Sequence, residues 1–152
     1  MMKRVTLLLL ILLNADFLFG QENNEYSVSF SHIGLSVKDV DTSAKFYKRL
    51  FGLQEIIDSN RREGVIWLLL GEGKELHLQA IDGDNMAQYI TTHFALTVNN
   101  FDSFLKQAYT MGVKLYSYPS GAEGKVISRP GGIRKAYIKD LDKNWIEVIS
   151  LN

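Results

Sequence analysis

Cysteine is absent from all 152 residues. This removes disulfides, thiol nucleophiles and thiolate metal ligands together, and with them a lipid-anchored lipoprotein, which needs a cysteine at its cleavage site. Excess charge is missing too. Seventeen Lys and Arg balance seventeen Asp and Glu, the two signs are interspersed, and no basic stripe of the kind a phosphate backbone requires is present, which sets nucleic acid aside as a partner. Long hydrophobic runs are also lacking: the apolar stretch from Val5 to Leu13 is too short to span a bilayer and is followed by Asn14 and Asp16. Lys3 and Arg4 precede it, and Gly20 supplies a small residue before a cut. That pattern predicts a signal peptide over residues 1–20, an exported (periplasmic or secreted) protein, and no stable membrane insertion after cleavage. Residues 21–152 then have the length of one compact domain.

What the chain does have is an internal repeat. SHIGLSVKDVD, from Ser31 to Asp41, aligns without a gap on THFALTVNNFD, from Thr92 to Asp102, pairing His32 with His93, Leu35 with Leu96 and Val37 with Val98. Both copies alternate apolar with polar or small residues and read as half-buried strands. Each is followed by an acidic turn and a helical pattern, Val40, Ala44 and Tyr47 matching Phe101, Leu105 and Ala108, and the helices stop at Gly52 and Gly112. Three strands are predicted after the first helix, over 53–58, 65–70 and 75–81, the last two joined by the tight turn Gly71-Glu72-Gly73-Lys74. Three more are predicted after the second helix, over 113–118, 133–139 and 144–151, with a linker over 82–87 between the halves. The order strand, helix, three strands, given twice (about 27–81 and 90–151), argues an α+β fold with two mixed sheets each backed by a helix.

Faces decide which polar residues can meet. On the strand from Glu75, Leu76, Leu78 and Ala80 face the helix, so His77 lies on the opposite side of the sheet. On the last strand Ile146 and Val148 take the places of Leu76 and Leu78, and Glu147 becomes the repeat-mate of His77. Two equivalent pairs result, His32 with His93 and His77 with Glu147, and a twofold-like packing of the halves would gather all four. The chain has three histidines, and all fall on that face. Imidazole nitrogen and carboxylate oxygen suit a divalent zinc, nickel, cobalt, iron or manganese ion, which would offset the cost of gathering these groups and polarise a carbonyl or acidify a water. The same residues serve whether the site closes within one chain or across a homodimer.

The segment HIGLSVKDVDTSAKFYKRLFGLQ resembles the opening motif of the vicinal-oxygen-chelate superfamily, which contains glyoxalases, bleomycin-resistance proteins and extradiol dioxygenases, and AYIKDLDKNWIEVIS resembles its closing motif. The closing turn, Asp140 to Asn144, lacks the usual proline and glycine. The resemblance implies paired β-α-β-β-β modules forming a cup, with metal ligands at His32, His77, His93 and Glu147. His77 stands where glyoxalase I enzymes carry glutamate.

Three functions follow from the resemblance. The leading expectation is a metal-dependent lyase or isomerase that binds the vicinal oxygens of a small carbonyl substrate and uses Glu147 as catalytic proton shuttle. A ring-cleaving dioxygenase using His32, His93 and Glu147 is the second, and a sequestering protein for a drug or small molecule the third. Arg134 is expected at the mouth as an anion clamp, and Trp67 and Trp145 as apolar walls for the substrate. Export argues against glutathione hemithioacetal, a cytosolic substrate.

Overall fold

The computed structural model describes residues 27–57, 62–83 and 89–151; the expected signal peptide and residues 84–87 of the linker lie outside them. Each half gives one strand, one helix and three further strands. The first contains β1 (His32–Val37), α1 (Val40–Phe51), β2 (Gln54–Ile56), β3 (Val65–Gly71) and β4 (Lys74–Ala80). The second contains β5 (His93–Val98), α2 (Phe101–Thr110), β6 (Ile127–Ser128), β7 (Arg134–Lys139) and β8 (Trp145–Ser150). Both sheets are mixed, with strand orders β1-β4-β3-β2 and β5-β8-β7-β6. The first strand of each half runs parallel to the last, and the remaining pairings are antiparallel.

Local chemistry accounts for the helix limits. Asp39 and Asn100 cap the two N-termini, accepting from the backbone N–H of Thr42 (2.7 Å) and Ser103 (2.9 Å). At the end of α1, Gly52 adopts φ +71° in the left-handed region that favours glycine, and its N–H donates to the Lys48 carbonyl.

The expected alternation holds on the first strands. Ile33, Leu35 and Val37 turn to the core while His32, Gly34 and Ser36 are exposed. Leu76, Leu78, Ile146 and Val148 are fully buried, and they join Tyr47, Leu50, Phe104 and Ala108 in one core that both halves share. Ala80, expected on the same face, is exposed at the strand end.

One expected strand is replaced. Residues 113–118 make no continuous ladder; Tyr116 alone bridges to Tyr137 and Glu123, and the sheet edge is taken instead by β6. The segment keeps one contact on the edge of β7, the Tyr116 N–H donating to the Tyr137 carbonyl at 2.8 Å, and the Tyr116 ring packs edge-on against Trp145 at 5.1 Å. Pro119, with no N–H to donate, could not extend a ladder there in any case. Among the described residues no helix is long and apolar enough to cross a membrane.

Candidate functional site

The parallel pairing within each half sets His32 and His77 side by side, and likewise His93 and Glu147. Gly34 lies across from His77 and Ala95 across from Glu147, so each first-strand histidine is a diagonal neighbour of the group on the last strand. The two halves use this same placement for different contacts.

In the first half it produces a stack of rings. His77 lies between His32, with ring centroids 4.2 Å apart, and Trp67, at 4.5 Å, all three rings close to parallel. Trp67 is directly opposite His77 on β3. His77 Nε2 is 2.7 Å from Glu75 Oε2. A carboxylate only accepts, so that nitrogen carries a proton and donates it.

In the second half it produces a polar cluster. His93 Nδ1 lies 2.8 Å from the Ile90 carbonyl oxygen, and its Nε2 lies 3.2 Å from Glu147 Oε2. The other carboxylate oxygen, Oε1, accepts from Lys135 Nζ at 2.5 Å. Lys135 also donates to the Tyr137 hydroxyl at 3.0 Å and lies 5.0 Å from the centre of the Tyr137 ring. Burial pushes the Glu147 carboxyl up, but hydrogen bonds from Lys135 and Tyr137 and the charges of Lys135 and His93 outweigh it and hold the group below its usual value. Burial works downward on Lys135, and its bonds to Glu147 and Tyr137 reverse that, leaving the ammonium above its usual value.

The His93 contacts constrain its tautomer. A carbonyl oxygen cannot donate, so Nδ1 must hold the proton that bridges to Ile90. In the neutral ring Nε2 is then a bare lone pair facing a carboxylate oxygen. Two such acceptors repel unless a positive charge lies at Nε2 or between them. At 3.2 Å the two atoms are close enough for both to reach one divalent ion, whose bonds to imidazole nitrogen and carboxylate oxygen are about 2.0–2.2 Å long. The ring is held by a carbonyl on its far nitrogen, as metal-binding imidazoles generally are.

The four expected ligands therefore appear as two pairs. Among the described residues, no group of three or more His, Asp or Glu side chains within the chain is arranged to hold a metal ion. The convergence expected of the two halves is not met inside one chain, because each histidine-bearing sheet face is the one turned away from the shared core.

The expected substrate contacts divide. Trp67 lies on the histidine-bearing face, as does its neighbour in phase Leu69, 39% exposed. Trp145 shares the face of Glu147 but is 4% exposed, covered by Tyr116 and with the Lys139 ammonium 4.2 Å from its ring. Arg134 is on the helix side of β7, paired with Asp102 at 2.7 Å and lying over the Phe101 ring at 4.9 Å. It does not join the cluster; Lys135, the next residue, does. Strand phase carried the signal for that, since Tyr137 pairs directly with Glu147 and Lys135 is two residues away on the same face.

The profile of the Glyoxalase/Bleomycin resistance protein/Dioxygenase superfamily matches residues 29–148. The chain belongs to this superfamily. A curated relative, the uncharacterized protein YwbC of Bacillus subtilis (strain 168), is 28% identical over 122 residues, covering 76% of this chain and 92% of that protein. Among solved structures, oxidase ChaP-H2 is similar with a TM-score of 0.68 at 22% identity, covering 84% of this chain and 96% of that one. The fosfomycin resistance protein FosX of Listeria monocytogenes is similar with a TM-score of 0.64 at 21% identity and the same coverages. At such identities these two bear on the fold alone, and the fold they share is the paired-module architecture of the superfamily.

Proposed function

We propose that this superfamily member is a metal-dependent enzyme acting on the vicinal oxygens of a small carbonyl compound, a lyase or isomerase, with its divalent ion held by His93 and Glu147 of one copy and by His32 of a second copy. The observation that carries this reading is the His93 and Glu147 pair. Its proton inventory for the neutral ring leaves two acceptors face to face at 3.2 Å, an arrangement that a cation between them relieves, as does a proton on Nε2. His77 was expected as a fourth ligand; with Nε2 donating to Glu75, it retains Nδ1 for that role. Superfamily members generally use divalent ions, and the ion when bound supplies Lewis acidity to the substrate oxygens.

The fold supports a pairing across two copies: each half holds two donors on a face turned away from the shared core, and among the described residues no third donor joins either pair. Trp67 and Leu69 would then wall the substrate from the first half. Tyr118 and Tyr137, stacked at 5.3 Å, would wall it from the second.

A second reading draws on the Lys135 contact. A carboxylate already bound by an ammonium, and held below its usual value, is a weak base. This favours Glu147 as a ligand over the expected proton shuttle, and chemistry that asks only for His32, His93 and Glu147 as donors, such as that of a ring-cleaving dioxygenase. Oxygen uptake with a catechol and ferrous iron separates the two readings.

The shared site is tested by mixing variants. His32→Ala and Glu147→Gln should each bind no zinc or manganese stoichiometrically in equilibrium dialysis. Chains of both kinds co-expressed should regain one ion per mixed dimer, because one of its two sites then carries both lesions and the other none. No recovery in mixed dimers would overturn the shared site.

A further inference from the structure

The two oxygens of Glu147 have different partners. Oε1 accepts from the Lys135 ammonium at 2.5 Å, while Oε2 is the oxygen that faces His93. Lys135 is itself fixed at its far end: its side chain is 13% exposed, it donates to the Tyr137 hydroxyl at 3.0 Å, and it lies beside the rings of Tyr137 and Tyr118 at 5.0 and 5.8 Å. The strand above and below allows little freedom, since Ala136 is fully buried and Tyr137 is nearly so.

We infer that Lys135 is a positioning residue that keeps Glu147 a one-oxygen donor and so sets which cation the site prefers. This rests on the metal reading above. Two consequences follow from elementary chemistry. The ammonium neutralises the carboxylate and weakens its pull on any divalent ion. It also denies the ion a second oxygen from the same carboxylate, and that loss falls unequally. Calcium uses six to eight oxygens at about 2.3–2.6 Å and takes carboxylates by both oxygens readily. Zinc, satisfied by four ligands at about 2.0–2.2 Å, takes one. An ammonium clipped to Oε1 therefore costs a large, oxygen-seeking ion more than a small borderline one. The same clip keeps Oε2 aimed at the His93 lone pair, as groups beyond the ligands commonly orient them.

Removing the ammonium while keeping the aliphatic stem, Lys135→Met, should let Glu147 swing to two-oxygen binding. Zinc, manganese and calcium affinities are measured by competition dialysis on the full chain, for wild type, Lys135→Met and Lys135→Arg. In Lys135→Met the preference for zinc over manganese and calcium should fall about tenfold or more, chiefly through tighter binding of the larger ions. Lys135→Arg, which restores a donor to Oε1, should keep most of the wild-type preference. With cobalt as probe, the visible bands of Lys135→Met should weaken relative to wild type, as expected when a four-coordinate ion gains an oxygen. A variant that merely loosened the fold would lower all three affinities together and leave their ratio alone. An unchanged ratio in a folded Lys135→Met that binds metal overturns the inference and leaves the metal reading standing. Failure of wild type and variants alike to bind any ion stoichiometrically overturns both.

Discussion

Asp140 is the carboxylate on which the junction of the two halves turns. It is 7% exposed and accepts from the Tyr47 hydroxyl at 2.8 Å, from the Asn144 amide at 2.9 Å and from the backbone N–H groups of Asp142 and Asn144. Tyr47, fully buried on α1, has its hydroxyl pushed well above the usual value by burial and by the Asp140 charge, so it remains a donor throughout the working pH range. Tyr47→Phe removes a hydrogen bond to a buried charge and should lower stability by about 1.5–3 kcal/mol, read from urea denaturation. Burial also pushes the Asp140 carboxyl up, against the hydrogen bonds from Asn144 and Tyr47. A carboxyl raised on folding lends stability that is complete below its unfolded value, about 3.9, and that is lost as pH rises through the folded value. The stability gap between wild type and Asp140→Asn should accordingly be widest below about pH 4 and shrink toward neutrality. Denaturation curves at several pH values check this, and a gap that grows with pH would contradict it.

At the scale of elements, the two halves differ most where residues 113–126 replace a strand by a cover. The cover is pinned by backbone bonds from Ser117 to Ala122 and from Gly124 to Leu115, and by an ion pair between Lys114 and Glu123. Gly124 is indispensable to it: an added Cβ would sit 1.9 Å from Ser117 Oγ and 2.9 Å from the Ser117 backbone nitrogen. Because backbone as well as side chain is struck, Gly124→Ala should force the cover outward at a cost of about 1–3 kcal/mol. In a Trp67→Phe background the emission of Trp145, now wetter, should shift to longer wavelength; an unshifted band would show that the cover does not depend on this approach. The sequence offered the alternation of apolar residues over 113–118 but not how the edge of β7 is divided, since strand pattern alone does not say that Tyr116 pairs at Tyr137 while Ile127 and Ser128 pair at Lys135 and Arg134.

For the whole molecule, the repeat in the sequence contained the element order, the two mixed sheets and the faces of His32, His77, His93 and Glu147. It did not contain how one half lies on the other. That is set by contacts with no periodic signature: the stacking of Phe51 on Phe104 at 5.9 Å, the Gln107 amide donating to the Arg49 carbonyl, and the Lys38 backbone N–H donating to Asp142. Lys135 was legible through strand phase, which sets it on the face of Glu147 and Arg134 on the other; Arg134 was preferred because it is the stronger anion clamp by chemistry. If the donor set is completed between copies, metal and association are linked: zinc at a hundredfold excess over its Kd should add about 2.7 kcal/mol of stability. The Tm of metal-loaded protein should also rise with protein concentration. Thermal melts over a hundredfold range of concentration, with and without chelator, test this, and a loaded Tm independent of concentration argues for a site closed by one chain.

The two tryptophans end up in opposite situations, and that gives the chain an optical reporter of its own. Trp145 is sealed under Tyr116, whereas the indole of Trp67 stands 4.5 Å from the His77 ring on the uncovered sheet. A charge arriving at His32 or His77 is felt through the stack by the Trp67 indole. Occupancy of the first half can thus be followed in the unlabelled protein, by the dimming of that emitter in a Trp145→Phe background.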